Sequence, residues 1–136
     1  MMNTTISLSV SDDQGVTLSL NNAASYCHVL DAPHLEGSID DGAWLILIFT
    51  NWIPLDYACA KTSIRVVEKF GGEVSLGLHL QHDYEDVLDW WPQVGSTYWT
   101  PLWLLFFKRN FVARRDGLLL EDDATNWVRC ALNNFE

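Results

Sequence analysis

Cys27, Cys59 and Cys130 carry the most reactive side chains in this chain, and their spacing limits what they can do. No two of them form a Cys-x-x-Cys pair, in which one thiolate attacks a disulfide and its neighbour resolves the mixed intermediate. Their odd number and wide spacing fit no disulfide framework, so free, mostly buried thiols in a reducing compartment are expected. Structural zinc needs four converging ligands at short spacings, and neither these cysteines nor His28, His34, His79 and His82 supply them. His79 falls within a strand pattern and His82 just after it, as structural or surface residues do. No Ser-His-Asp grouping and no glycine-rich phosphate loop is visible. The residues therefore predict no catalytic group, no metal and no cofactor.

Charge narrows the choice of partner. The 136 residues carry 18 acidic and 8 basic side chains, a net charge of −10, which disfavours unaided nucleic-acid binding because phosphate contacts draw on clustered Lys and Arg. A basic protein partner fits better, within a larger assembly and with no small-molecule substrate. Hydrophobic residues make up 49% and charged residues 19%, the balance of one soluble globular domain over residues 1–136. No apolar run reaches the roughly 18 to 20 residues that span a bilayer, and residues 1–8 lack the basic flank of a leader. The expected location is the cytosol or another reducing intracellular compartment. The sequon at Asn3-Thr4-Thr5 is a common chance triplet and is discounted.

The elements that would position any site follow from periodicity. Residues 6–10 and 16–20 alternate apolar and polar side chains around a Ser-Asp-Asp-Gln-Gly turn, which predicts a hairpin. Asn21 or Asn22 could cap a short helix over 23–30, ending before Pro33. Residues 36–42 are rich in Asp and Gly and read as a loop. Residues 44–49 form a continuous apolar run of strand length, as in a strand covered on both faces. From Pro54 to Phe70 the spacing turns helical, with Leu55, Ala58, Cys59, Thr62, Val66, Val67 and Phe70 on the apolar face and Gly71-Gly72 as the stop. A carboxylate at Asp56 in that first turn could hold a ligand, but stabilising the helix macrodipole is reason enough for it. Residues 74–80 alternate as a strand, and Asp83 could cap a short helix ending at Pro92, with Asp83, Glu85, Asp86 and Asp89 on an acidic face. Strands over 102–107 and 111–115 form a second hairpin through Lys108-Arg109-Asn110. A last helix over about 119–133 would bury Ala124, Trp127, Val128, Ala131 and Leu132.

The run from Trp44 to Asp56, taken with the Thr100-Pro101 junction before an apolar strand and with Gly117 before the last helix, resembles the thioredoxin-like superfamily over roughly residues 16–132. The resemblance implies an α/β thioredoxin-like fold: a central mixed sheet flanked by helices, a parallel βαβ half and an antiparallel ββα half. Residues 1–15 would be an additional N-terminal strand and turn. In thioredoxins a buried strand ends in Trp-Cys-Gly-Pro-Cys at a helix start, facing a cis-proline. Laid over that pattern, Trp52 matches the tryptophan, Ile53 and Asp56 stand where the cysteines belong, and Pro101 matches the cis-proline. The family's buried proton-moving carboxylate corresponds to Leu47. Nucleophile, resolving thiol and proton carrier are all replaced, which implies a non-redox branch. Cys59, one turn beyond Asp56, could be a lone reactive thiol, but its apolar spacing predicts a packed position.

Within that branch the chain is similar to phosducin-like proteins through Trp44, Ile53-Pro54-Leu55 and Lys69-Phe70, which would imply assistance to chaperonin-dependent folding. Trp52-Ile53-Pro54, Phe106-Phe107, Arg109-Asn110 and Asn126-Trp127 resemble the small spliceosomal thioredoxin-like protein. Accessory proteins of bacterial hydrogenase maturation are similar in length and also lack the cysteine pair. Trp44, Trp103 and Trp127 fall on core elements, whereas Trp90, Trp91, Tyr98 and Trp99 cluster near the proline-bearing loop across from Trp52. An aromatic rim there would suit polypeptide binding. The expected function is non-catalytic: a folding or assembly cofactor, or a subunit of a complex, binding its partner through Trp52, Ile53, Pro54, Asp56, Trp99, Thr100 and Pro101.

Overall fold

The structure, a computed structural model, describes residues 5–11, 17–24, 27–29, 39, 41–50, 54–80 and 101–135. Nine elements follow in chain order. They are the strands β1 (Thr5–Ser11), β2 (Thr17–Ala24), β3 (Cys27–Val29) and β4 (Ala43–Phe49), the helix α1 (Pro54–Glu68), the strands β5 (Val74–Leu80), β6 (Leu102–Phe107) and β7 (Asn110–Asp116), and the helix α2 (Glu121–Phe135).

β4 is the centre of a five-stranded mixed sheet of order β3-β5-β4-β6-β7. β5 runs parallel to both β3 and β4, while β6 is antiparallel to β4 and to β7. A βαβ unit, β4-α1-β5, is thus joined to a ββα unit, β6-β7-α2, and the fold is α/β and thioredoxin-like. β4 is apolar throughout because both its faces are covered, as periodicity predicted. Leu45, Leu47 and Phe49 join the core beneath α1 and α2 with Cys59, Val66, Val67, Leu76, Leu78, Trp103 and Val128. Ile46 and Ile48 join a second cluster with Ile39, Trp44, Leu102, Leu104 and Phe106. Burying a side chain such as Leu47, 0% exposed, contributes about 1.5 to 3 kcal/mol.

The first hairpin forms as the alternation predicts, but β1 and β2 make a separate two-stranded sheet. The helix expected over 23–30 does not form: β2 continues to Ala24, and Cys27–Val29 is the parallel edge strand beside β5. The apolar spacing there suited a helix locally, yet pairing with β5 satisfies the backbone and buries Cys27 to 1% exposure. Tertiary pairing outweighs so weak a propensity. Asn21 and Asn22 lie where the register slips between Ile6↔Ala23 and Leu8↔Leu20, so they form a bulge opposite Ser7 rather than a cap. The main sheet therefore begins at Cys27, not in residues 16–20.

α1 ends close to its expected stop, where the Gly71 amide donates to the Glu68 carbonyl at 3.2 Å and Gly71 takes φ 59°. Its buried face differs from expectation. Leu55 and Ala58 are exposed, and Asp56, Ala60, Ser63 and Ile64 are buried in their place beside Cys59. The second hairpin turns through two residues, Lys108 and Arg109, at φ 53° and 65°, because two positive φ values match the twist of the flanking strands. α2 starts later than expected, at Glu121, since Leu119 is held in the core ahead of it. Three acidic residues, Glu121, Asp122 and Asp123, occupy its first turn, and Lys69 Nζ reaches Glu121 at 3.0 Å and Asp122 at 3.2 Å. The expected helix after Asp83 lies outside the described residues. No helix among the described residues is long and apolar enough to cross a membrane.

Candidate functional site

β4 delivers Thr50 to one end of the sheet, and α1 begins there four residues later. Asp56, in the first turn of α1, is 0% exposed. Its Oδ2 accepts two hydrogen bonds from Thr50, one from the backbone N–H and one from the hydroxyl, each 2.9 Å long. The carboxylate closes the strand-to-helix connection on itself, a role beyond the macrodipole effect that the sequence suggests. Oδ1 is buried and has no hydrogen-bond partner among the described residues. A buried acceptor left unmatched is costly, so the arrangement is held by its surroundings.

β6 approaches the same end from the other side. In the antiparallel register Ile48 faces Leu102, so the next residues outward are Phe49 and Pro101. Pro101 is buried, and its carbonyl accepts the Gly117 N–H at 2.8 Å. The Gly117 carbonyl in turn accepts the Trp103 indole N–H at 2.9 Å. Pro101, which precedes β6, and Thr50, which follows β4 and bonds Asp56, thus lie at the same end of the sheet. Pro54 opens α1. Trp52, Ile53, Trp99 and Thr100 lie outside the described residues, as do Trp90, Trp91 and Tyr98.

Cys59 packs under this end at 0% exposure. Burial raises its thiol pKa, a hydrogen bond with the Leu119 backbone opposes that rise, and the Asp56 carboxylate adds to it. The thiol is therefore held neutral and shielded, the reverse of an activated nucleophile. Leu47, at the position that the resemblance assigns to a proton-moving carboxylate, is 0% exposed and packed in the core. Among the described residues no three His, Cys, Asp or Glu side chains group as metal ligands. His79 is buried at 2% exposure in β5, opposite Ile48.

Three further residues were not singled out as site residues by the sequence. Leu55, Leu118 and Leu120 are 56%, 52% and 65% exposed, the exposed large hydrophobic side chains among the described residues. Leu55 precedes Cys59 by one helical turn, and Leu118 and Leu120 flank Leu119, whose backbone bonds the Cys59 thiol. Leu118 also follows Gly117, which is tied to Pro101. Leu118 and Leu120 thus leave the sheet beside Pro101, while Leu55 stands in the first turn of α1. The Leu118-Leu119-Leu120 run was the available signal, since successive leucines outside a strand cannot all face one core.

No protein-family model matches the chain, and no curated protein sequence matches it. Solved structures do. Chloroplastic thioredoxin z, whose crystal structure is described as defining a novel type-specific target recognition, superposes with a TM-score of 0.63 at 16% identity, covering 79% of this chain and 95% of that one. A malarial protein superposes with a TM-score of 0.53 at 16% identity, covering 67% of this chain and 98% of that one. At such identities the likeness concerns architecture alone. Sheet order and the thioredoxin z superposition agree, and the chain has a thioredoxin-like fold.

Proposed function

We propose that the protein is a non-catalytic binding module, a folding or assembly cofactor or a subunit of a larger complex, of the phosducin-like kind. The contact surface we assign to it is the one expected from the sequence, Trp52, Ile53, Pro54, Trp99 and Thr100, with the buried Asp56 and Pro101 as its support and the exposed Leu118 and Leu120 leaving Gly117 next to Pro101. The observation that carries this reading is the exposure of Leu118 and Leu120 in the segment that leaves Gly117, the residue tied to Pro101. Exposed apolar side chains are ordinary when scattered and informative when grouped. Target recognition, the subject of the thioredoxin z structure, is the use of the fold carried over here.

Two further observations support a binding role over a catalytic one. Asp56 stands at the expected position of the second cysteine and is already engaged by Thr50. A one-cysteine oxidoreductase would need Cys59 as an accessible thiolate, and its burial opposes that.

Copurification from native cells tests the reading. The wild type and Cys59→Ser are expected to retain the same partner, and Leu118→Ser with Leu120→Ser is expected to lose it while remaining folded. Retention of every partner by the leucine variant, or insulin reduction that vanishes with Cys59→Ser, would overturn the proposal. The partner's identity, whether a chaperonin, a spliceosomal particle or a hydrogenase precursor, separates the candidate families.

A further inference from the structure

A groove of about 900 Å³ opens at the other end of the sheet, where β4 and β5 begin, β6 ends, and the last turns of α1 and α2 come together. Its walls include Phe70, Val74, Phe107, Leu132, Arg129 and Glu73. Phe70 and Leu132 are half-buried and packed on the core beneath the helices, so the apolar part of the lining is continuous with the interior, while Lys69, Glu73, Arg129 and Asn133 make the rest of it polar. Each of the two rings has a cation over it: the Arg129 guanidinium lies 5.7 Å from the Phe70 centroid and Lys108 Nζ lies 5.3 Å from that of Phe107.

The charge distribution is the informative part. Acidic side chains outnumber basic ones 18 to 8, yet neither Arg129 nor Lys108 is ion-paired among the described residues. By contrast Lys69, Arg109 and Arg114 each hold a carboxylate. Of the two cations that line the groove, Lys69 is held by Glu121 and Asp122, whereas Arg129, over the Phe70 face, can still hold an anion. A guanidinium fixed by stacking presents its fork of N–H groups to a planar carboxylate with less ordering cost than a free one. Glu73 on the same wall disfavours a ligand with a second negative charge.

We propose that this groove binds a small apolar monocarboxylate, its hydrocarbon part against Phe70, Phe107 and Leu132 and its carboxylate on the Arg129 guanidinium. The cavity lies in the size range of small-ligand sites, roughly 300 to 1,000 Å³. The site is independent of the partner surface proposed above, because the two lie at opposite ends of β4. Its residues come from four elements and the connections between them, which is why no sequence motif marks it.

Heteronuclear NMR titration with 3-phenylpropanoate tests the proposal on the full chain. Saturable shifts are expected at Phe70, Gly71, Arg129 and Leu132, with none at Thr50 or Asp56. Arg129→Gln is expected to weaken binding about tenfold, in line with loss of a charge-assisted bidentate contact, and Arg129→Lys by less. The uncharged 3-phenylpropanamide is expected to bind more weakly than the acid. Lys61→Gln, which removes a distant cation lying over Tyr57, is the control for net charge and is expected to change nothing. No saturation at low millimolar concentration, equal binding by Arg129→Gln, or equal binding of acid and amide would each overturn it.

Discussion

The Gly117 amide donates to the Pro101 carbonyl at 2.8 Å, so the residue that precedes β6 and the residue that follows β7 are tied at one point of the sheet. Gly117 takes φ 88°, and its own carbonyl receives the Trp103 indole N–H. One residue thus binds the start of β6, the end of β7 and a fully buried tryptophan, and the exposed Leu118 and Leu120 leave from it.

Replacing Gly117 tests how much of that geometry depends on a left-handed backbone. A Cβ built there meets nothing within 4 Å, so the cost of Gly117→Ala is conformational and not steric. About 1 to 2 kcal/mol of stability is expected to be lost, the usual penalty for an L-residue in this region. Urea unfolding should show a lower midpoint at an unchanged slope. A loss under about 0.5 kcal/mol would mean that the turn readily relaxes.

Asp56 is expected to be a structural clamp whose charge is dispensable. Asp56→Ala leaves the buried Thr50 amide and hydroxyl without their acceptor and is expected to cost about 1 to 3 kcal/mol. Asp56→Asn keeps a carbonyl oxygen for Thr50 and removes a negative group whose second oxygen is unmatched, so it should be milder. Thr50→Val, which deletes one of the two donors, should cost about 0.5 to 1.5 kcal/mol. In a double-mutant cycle Thr50→Val and Asp56→Ala are expected to be non-additive, and simple additivity would refute the clamp.

The sheet was legible in the sequence wherever strands are long and apolar or alternate cleanly, as in β4, β5 and β6, because burial on both faces or one leaves a periodic trace. The same holds for the placing of Pro101 at the end of the sheet where β4 closes, which needs only the strand order. β3 was not legible: three residues, Cys27–Val29, carry too little pattern, and only the pairing with β5 makes them a strand. The clamp was half legible, since Asp56 advertises itself as a helix-start carboxylate while Thr50 gives no sign that its N–H needs an acceptor. The exposure of Leu55 was hidden because helical spacing alone cannot say which flank of an apolar stripe faces outward.

The Cys59 thiol sets an expectation for alkaline pH. Its folded pKa is raised above the ordinary 9.0, chiefly by burial, against a hydrogen bond with the Leu119 backbone and with the Asp56 charge adding to the rise. The folded state therefore favours the neutral thiol. That contribution is complete below the unfolded value and is lost as pH rises through the folded one. Urea midpoints should fall above pH 9.0 in the wild type and fall less in Cys59→Ala. Under native conditions a thiol reagent should label the exposed Cys130 quickly and the buried Cys27 and Cys59 only on unfolding.

At acid pH the Arg114–Asp116 pair on β7 should contribute in the opposite sense. Two contacts of 2.8 Å join the guanidinium to the two carboxylate oxygens, and they hold the Asp116 pKa below the ordinary 3.8. A lowered carboxylate pKa means stability that is present above the unfolded value and lost as pH falls through the folded one. Asp116 is nearly half exposed, with 46% of its side chain accessible, so solvent screens the pair and a few tenths of a kcal/mol is the expected scale. Asp116→Asn should therefore flatten the stability profile slightly below pH 3.8 and leave it unchanged near neutrality apart from that small offset. Raising the salt concentration should shrink the difference between the two proteins, because an exposed pair is screened within a Debye length. A salt-independent loss above about 1 kcal/mol would instead assign Asp116 a packing role at the β7 edge, next to the Gly117 turn.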